Sequence, residues 1–264
     1  MQHPQAILTR IQASARKSLS QNFLTSNYWA EKLVKIALEE RPERVIEIGP
    51  GLGALTEIWS KKIKDGILIE YDRKLAVHLR EEFPTLSLIE SDVLRVDMRA
   101  LCPPSLRTVV ISNLPYHISS PIFFSFLENK IFPQAMILTF QKEFSDRLAA
   151  LPRTSDYGAM SVLAQTYYEI QSIGVLPAGA FYPKPSVVSS ALLIKPRPSE
   201  VNPVRLKQIL RASFAHPRKL LTNNLSAVMG PERISVALQS AQVGPNARAE
   251  ELSKEQFWKL AEGL

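Results

Sequence analysis

RVIEIGPGLGALTEIWSKKI, residues 44–63, decides the fold. RVIEI (44–48) is a short apolar, β-branched run that reads as a buried strand. GPGLG (49–53) is a tight turn, and ALTEIWSKKI (54–63) has helical spacing through Leu55, Ile58 and Trp59. Strand, glycine turn and helix in that order are the layout of a nucleotide-binding unit. Glycine lets the backbone approach a ligand closely, and the helix N-terminus points at it. Taken alone, the turn is a weak signal, and the alternative is a tight connection that binds nothing. It also departs from the dinucleotide fingerprint, because its third glycine comes at the fifth position and Ala54 fills the sixth.

Outward from this stretch the pattern repeats. Ser26 can cap a helix reaching about Glu40, with Trp29, Leu33, Ile36 and Ala37 on its apolar face and Pro42 to stop it. Downstream come ILIEYD (67–72) as a second strand, a helix over 73–82, LSLIESD (86–92) as a third strand and TVVIS (108–112) as a fourth. After NLPY (113–116), Ser119 or Ser120 can cap a helix that Pro121 begins. QAMILTFQ (134–141) is a fifth strand and KEFSDRLAAL (142–151) a helix, with later strands over 167–176 and 187–195. Strands that alternate with helices, and are apolar throughout, predict a doubly wound, Rossmann-like α/β domain with a mostly parallel sheet.

KPRPS (195–199) reads as a short stiff linker, which places the main domain over 1–197 and a small α-helical C-terminal domain over 198–264. Between 201 and 231 there is no acidic residue, while Arg205, Lys207, Arg211, Arg218 and Lys219 all fall there. With a net charge of +7, this basic face favours an acidic partner, nucleic acid before an anionic membrane surface.

The single cysteine, Cys102, excludes an intrachain disulfide and a thiolate zinc site. His3, His78, His117 and His216 lack metal-ligand spacing, so no metal is expected. The start of the chain has no apolar core long enough for a signal peptide, and no stretch approaches 18 apolar residues. A cytoplasmic protein is the expectation.

Two carboxylates sharpen the glycine turn. Glu70 ends the second strand, where it can accept from both hydroxyls of a ribose; Asp92 ends the third, placed to accept from an adenine amino group. Singly, each could equally be a solvated acid at a strand end. Together with the turn they share the carboxyl edge of neighbouring strands, where open α/β sheets bind ligands. A ribose and an adenine, with no pyrophosphate to grip, suit S-adenosylmethionine (SAM) better than NAD.

The fourth strand ends at the same edge, in NLPY (113–116). Unaided, this is a strand-to-helix turn punctuated by Asn and Pro. As chemistry it is more. An exocyclic adenine amine is a poor nucleophile because its lone pair is delocalised into the ring. The Asn113 side-chain oxygen and the Leu114 carbonyl can both accept from that NH2 and favour a pyramidal nitrogen. Pro115 would fix the backbone path, and Tyr116 would offer a stacking face.

VIEIGPGLGALT (45–56), Asp92 and NLPY resemble the motifs of the ribosomal RNA adenine N6,N6-dimethyltransferases. QNFL (21–24), QKEF (141–144), YGAMSVLAQ (157–165), FYPKPSVVSSAL (181–192) and FAHPRKLLTNNL (214–225) each resemble a block of that family, in order, across nearly the whole chain. The likeness is to its small-subunit, kasugamycin-resistance branch, and the erythromycin-resistance methylases of the large subunit are near relatives. It implies a class I SAM-dependent methyltransferase domain that dimethylates two adjacent adenosines near the 3′ end of 16S rRNA. The implied partner is an assembling small (30S) subunit, and the implied enzyme a monomer.

Residue by residue, the resemblance implies that Asn22, Leu24, Gly49 and Gly51 line the cofactor pocket, Glu70 holds the ribose and Asp92 the adenine. Asn113 contacts both the methionine end and the target amine, with Leu114 and Pro115 beside it. Tyr116 and Phe181 sandwich the target base. His117 stands where an Asn is usual, and HPRKLL (216–221) replaces a run more often richer in arginine. The rival readings are a large-subunit adenine dimethylase, an assembly factor whose methylation is incidental, and an NAD-dependent dehydrogenase.

Overall fold

The fold is seen in a computed structural model that describes residues 3–264. In chain order the elements are α1 (Pro4–Arg10), β1 (Phe23–Leu24), α2 (Asn27–Glu39), β2 (Arg44–Ile48), α3 (Thr56–Trp59), β3 (Asp65–Glu70), α4 (Arg73–Glu82), β4 (Ser87–Glu90) and α5 (Met98–Leu101). There follow β5 (Thr108–Asn113), α6 (Tyr116–Glu128), β6 (Ala135–Gln141), α7 (Lys142–Ala149), α8 (Ala159–Tyr167), β7 (Tyr168–Leu176), β8 (Phe181–Tyr182) and β9 (Ser189–Pro196). The last helices are α9 (Pro203–Ser213), α10 (Leu221–Leu225), α11 (Pro231–Ser240) and α12 (Lys254–Glu262).

Seven strands form one sheet in the order β4-β3-β2-β5-β6-β9-β7. From β4 to β6 the pairing is parallel, while β9 runs antiparallel to β6. The expected α/β class with a mostly parallel sheet is what forms. The strand order reverses between β2 and β5, and such a switch point opens a crevice at the carboxyl ends of the strands.

Local chemistry accounts for the helices around it. The Ser26 hydroxyl accepts from the Trp29 N–H at 3.4 Å, and α2 buries Ala30, Leu33, Val34 and Ala37. Asp72 caps α4 by accepting from the Lys74 N–H at 2.9 Å. The core beneath α2 and α3 centres on fully buried Trp59, which lies over Gly66 of β3.

Two local expectations need correction. The helix after the glycine turn is a single turn over Thr56–Trp59 rather than 54–63. The helix after NLPY begins at Tyr116 with Pro115 as its N-cap, so Pro121 sits inside it and neither Ser119 nor Ser120 is the cap. Pro115 already fixes φ near −60° at the strand end, and the chain can turn helical at once. Ser119 instead donates back to the Tyr116 carbonyl at 3.0 Å.

The chain divides into two compact units, residues 1–145 with 171–196, and residues 146–170 with 197–264. The sequence placed a boundary at 197/198; in space the segment 146–170, which includes α8, goes with the second unit. In that unit α9 packs on α8, α10 and α12, with Leu206, Ile209 and Leu210 buried. Trp258 donates through Nε1 to Thr166 Oγ1 at 2.8 Å. The exposed positions of α9 and the loop after it include Arg205, Arg211, Arg218 and Lys219. Among the described residues no helix is long and apolar enough to cross a membrane.

Candidate active site

A cleft of about 300 Å³ opens at the switch point, lined from residues that follow four parallel strands. Gly49 and Gly51 follow β2, Glu70 and Tyr71 end β3, Asp92 follows β4, and the stretch 113–116 ends β5. Residues 19–24 close the other wall. Every cleft residue named by the sequence except Phe181 is therefore brought to one place.

The glycine turn is built for approach. Gly51 has φ +59°, a region that favours glycine, and a Cβ there would stand 3.0 Å from the Phe23 ring. Its N–H donates to Glu70 Oε2 at 3.1 Å, and the Asp72 N–H donates to Glu70 Oε1 at 2.8 Å. These backbone donors leave part of the carboxylate's acceptor capacity free. Burial nevertheless pushes Glu70 up to about 7, against the pull of these backbone donors. A buried carboxylate with open acceptor sites and a raised pKa is poised for donors arriving from a ligand. Asp92 is half-buried and caps the turn that follows it, accepting from the Leu94 N–H at 3.0 Å through Oδ1.

Asn113 sits at the tip of β5. Its Nδ2 donates to the Asn22 backbone carbonyl at 2.8 Å, and its Oδ1 accepts from Thr139 Oγ1 at 2.8 Å. Leu114 is buried, while Pro115 and Tyr116 are half-buried. The Tyr116 hydroxyl is 2.6 Å from Ser189 Oγ, and burial raises its pKa. Asn22 also donates through its own side chain to the Ser20 carbonyl at 3.1 Å, and Leu24 is buried at the cleft floor.

Phe181 is placed differently. It is 3% exposed, pairs with Leu24 in the two-residue ribbon β1–β8, and packs in the core with Leu33 and Leu176. Its ring is not on the cleft wall, so the expected open sandwich of Tyr116 and Phe181 is not what the side chains form. Large apolar area favours the core when a neighbouring ribbon can cover it.

A family model described as ribosomal RNA adenine dimethylase matches residues 12–264. The chain belongs to that family. The ribosomal RNA small subunit methyltransferase A of Acidobacterium capsulatum is 40% identical to it over 263 residues, covering 96% of this chain and 93% of that protein. The protein of the same name from Xanthomonas oryzae pv. oryzae is 39% identical over 256 residues, covering 94% and 96%. Among solved structures, a dimethyladenosine transferase from Plasmodium falciparum superposes with a TM-score of 0.76 at 22% identity, over 90% of this chain and 95% of that one. A 23S rRNA methyltransferase, ErmE, gives 0.72 at 24% identity over 92% and 99%, a likeness of fold. The protein is a SAM-dependent rRNA adenine dimethyltransferase, and its substrate is ribosomal RNA.

Several groups in this dimethylase's site were not picked out from the sequence. Glu47, on β2, is buried and accepts from Thr56 Oγ1 at 2.7 Å and from Trp59 Nε1 at 2.6 Å. Burial pushes it up to about 7, with the charge of Glu70 adding in the same direction. Tyr71, 63% exposed, lies on the cleft wall next to Glu70. Thr139 and Ser189 hold Asn113 and Tyr116 from the strands behind. A strand-end acid or aromatic beside a recognised carboxylate was the available signal for Glu47 and Tyr71. Thr139 and Ser189 gave none, because their partners are 26 and 73 residues away.

Proposed function

We propose that the enzyme dimethylates N6 of two adjacent adenosines near the 3′ end of 16S rRNA, in an assembling small subunit in the cytoplasm, acting as a monomer. The observation that carries the chemistry is the amide of Asn113, held on both sides and facing the same cleft as the Gly51–Glu70 pair.

The cleft fits the methyl donor. Its volume is in the range of small-ligand sites, and its polar groups are few and convergent. Glu70 would hold the ribose hydroxyls, Asp92 the adenine amine, and Gly49, Gly51, Asn22 and Leu24 the body of the molecule. When bound, SAM supplies an electrophilic methyl group on sulfonium sulfur.

The chain's own part is positioning. Asn113 Oδ1 has one lone pair taken by Thr139 and one left, and with the Leu114 carbonyl it can hold a target NH2 by both hydrogens. Holding two reactants in line contributes roughly 7–11 kcal/mol in well-oriented systems, enough to serve as the principal term. The base must first leave its stack, at a cost of a few kcal/mol. Stacking on Tyr116 offsets about 1–3 kcal/mol of that. Phe181 contributes from below, by packing the Leu24 side of the wall. The proton lost from the amine passes to water at the cleft mouth, since Asp92 is committed to the cofactor.

The basic face formed by Arg205, Arg211, Arg218 and Lys219 would grip phosphates without reading sequence. Labelled-methyl transfer from SAM to unmethylated small subunits, followed by nucleoside analysis, tests the reading. Dimethyladenosine confined to 16S rRNA is the expected product; transfer to purified 23S rRNA instead would overturn it.

A further inference from the structure

Asn113 and Thr139 are register partners in the parallel pair β5–β6, so the strand pairing itself sets their side chains abreast. Thr139 is 1% exposed, and its neighbours on the same face of β6 are buried Ile137 and half-buried Gln141. A hydroxyl buried in the sheet must find a partner. It has one at 2.8 Å in Asn113 Oδ1, with a far weaker alternative in the Ser112 carbonyl at 3.5 Å.

The direction of these bonds is fixed. The Asn22 carbonyl can only accept, so Asn113 must turn its NH2 that way, at 2.8 Å. Oδ1 then faces Thr139, whose hydroxyl must donate. Three groups thus form a one-way chain, Thr139 to Asn113 to Asn22, and the amide cannot flip without setting oxygen against oxygen. The terminal torsion of an asparagine is otherwise broad. With the threonine donor in place, one lone pair of Oδ1 is spent and the other has a single heading.

We propose that Thr139 is a positioning residue for methyl transfer, which aims the remaining lone pair of Asn113 Oδ1 at the target amine. The proposal rests on the reading of Asn113 given above. It predicts that loss of the hydroxyl acts on the reaction step rather than on cofactor binding, because Thr139 touches neither Glu70 nor the glycine turn in the hydrogen-bond network.

The test compares Thr139→Val, Thr139→Ala and Thr139→Ser with Asn113→Ala, measuring kcat, KM for small subunits, SAM affinity by calorimetry, and Tm. Valine keeps the shape and deletes the donor, so Tm should hold or rise. A displacement of about 1 Å at a reacting group can cost on the order of a hundredfold in rate. We expect kcat of Thr139→Val to fall roughly 10- to 100-fold, with KM and SAM affinity within about threefold. Serine should restore kcat to within about threefold of the parent. Should valine fold poorly, the contrast between alanine and serine carries the same comparison. Full turnover in Thr139→Val, or a loss that serine does not repair, overturns the proposal while an inactive Asn113→Ala leaves the site reading intact. Full turnover in Asn113→Ala overturns both.

Discussion

Lowering the pH should weaken SAM binding through Glu70, and should at the same time stabilise the free protein. Burial raises the folded-state pKa of this carboxyl from 4.5 to about 7. Between those values the folded protein holds a proton that the unfolded chain has released, so stability falls as pH rises. The contribution is complete below about 4.5 and lost once pH has passed about 7. With 1.36 kcal/mol for each pKa unit, the full effect is on the order of 3 kcal/mol, and Glu70 is buried enough that solvent screening takes little from it. Ribose hydroxyls donating to the carboxylate favour its charged form, so cofactor binding below pH 7 must expel the proton. At pH 6 only about a tenth of the free protein carries an ionised Glu70, and SAM affinity should be roughly tenfold weaker than at pH 8. Calorimetry across pH 5.5–8.5 on the parent and on Glu70→Gln isolates this, because titration of the cofactor's own amine is common to both. Glutamine has one acceptor oxygen for two backbone donors, so its absolute stability drops, and the slopes with pH are what count. Glu47 titrates in the same window and in the same direction, and Glu47→Gln run in parallel assigns its share. If the parent and Glu70→Gln show the same pH dependence of SAM affinity, the carboxylate does not hold the ribose.

Replacing Asn113 with alanine should cut turnover by about two to three orders of magnitude while SAM affinity changes little, as single-turnover assays and calorimetry can check; a parallel collapse of binding would contradict its assigned role. Reversing charge at Arg218 and Lys219 should lower the slope of log affinity against log salt for small subunits by about 0.7–0.9 for each phosphate that is no longer neutralised; an unchanged slope removes this face from the RNA footprint. Gly66→Ala would place a Cβ 2.4 Å from the Trp59 ring, which is buried and tied to Glu47, so it should cost about 1–3 kcal/mol in denaturant unfolding; a neutral result would mean that the indole can move.

The residues that gave away the fold are those whose neighbours along the chain explain them. Apolar strands, the glycine turn and the acids at strand ends follow from local period and punctuation, and so does Ser26 as a cap. What the sequence left hidden depends on pairing across distance. Antiparallel β9 reads like any other apolar strand, and only its register with β6 reveals its direction. Pro121 looked like a helix start because proline favours the first turn, yet the helix had already begun at Tyr116, five residues earlier, with Pro115 as its N-cap. Phe181 is set against the base by the resemblance alone; an aromatic before a proline turn reads by itself as a core residue, and the two-residue ribbon with β1 puts it there. Thr139 carries no signal by itself; its meaning comes from the residue across the strand gap.

QNFL shows how such pairings turn a bland motif into part of a site. Gln21 donates to Asp72 Oδ2 at 3.3 Å, and the N–H of that same aspartate donates to Glu70. The carbonyl of Asn22 fixes the amide of Asn113. Phe23 fills the space that Gly51 leaves by having no Cβ, and Leu24 pairs with Phe181. Each of four consecutive residues therefore meets a different motif: the acid of β3, the tip of β5, the glycine turn and the ribbon before the proline turn. Side chains and a backbone carbonyl both take part, which is how so short a segment can reach four partners. It follows that Gly51 is constrained twice, by its positive φ and by the ring of Phe23, so a side chain there would disturb the turn and push the QNFL wall outward in one step. The wall then could not keep Asn22 against Asn113, and a change at the glycine turn would be felt at the tip of β5.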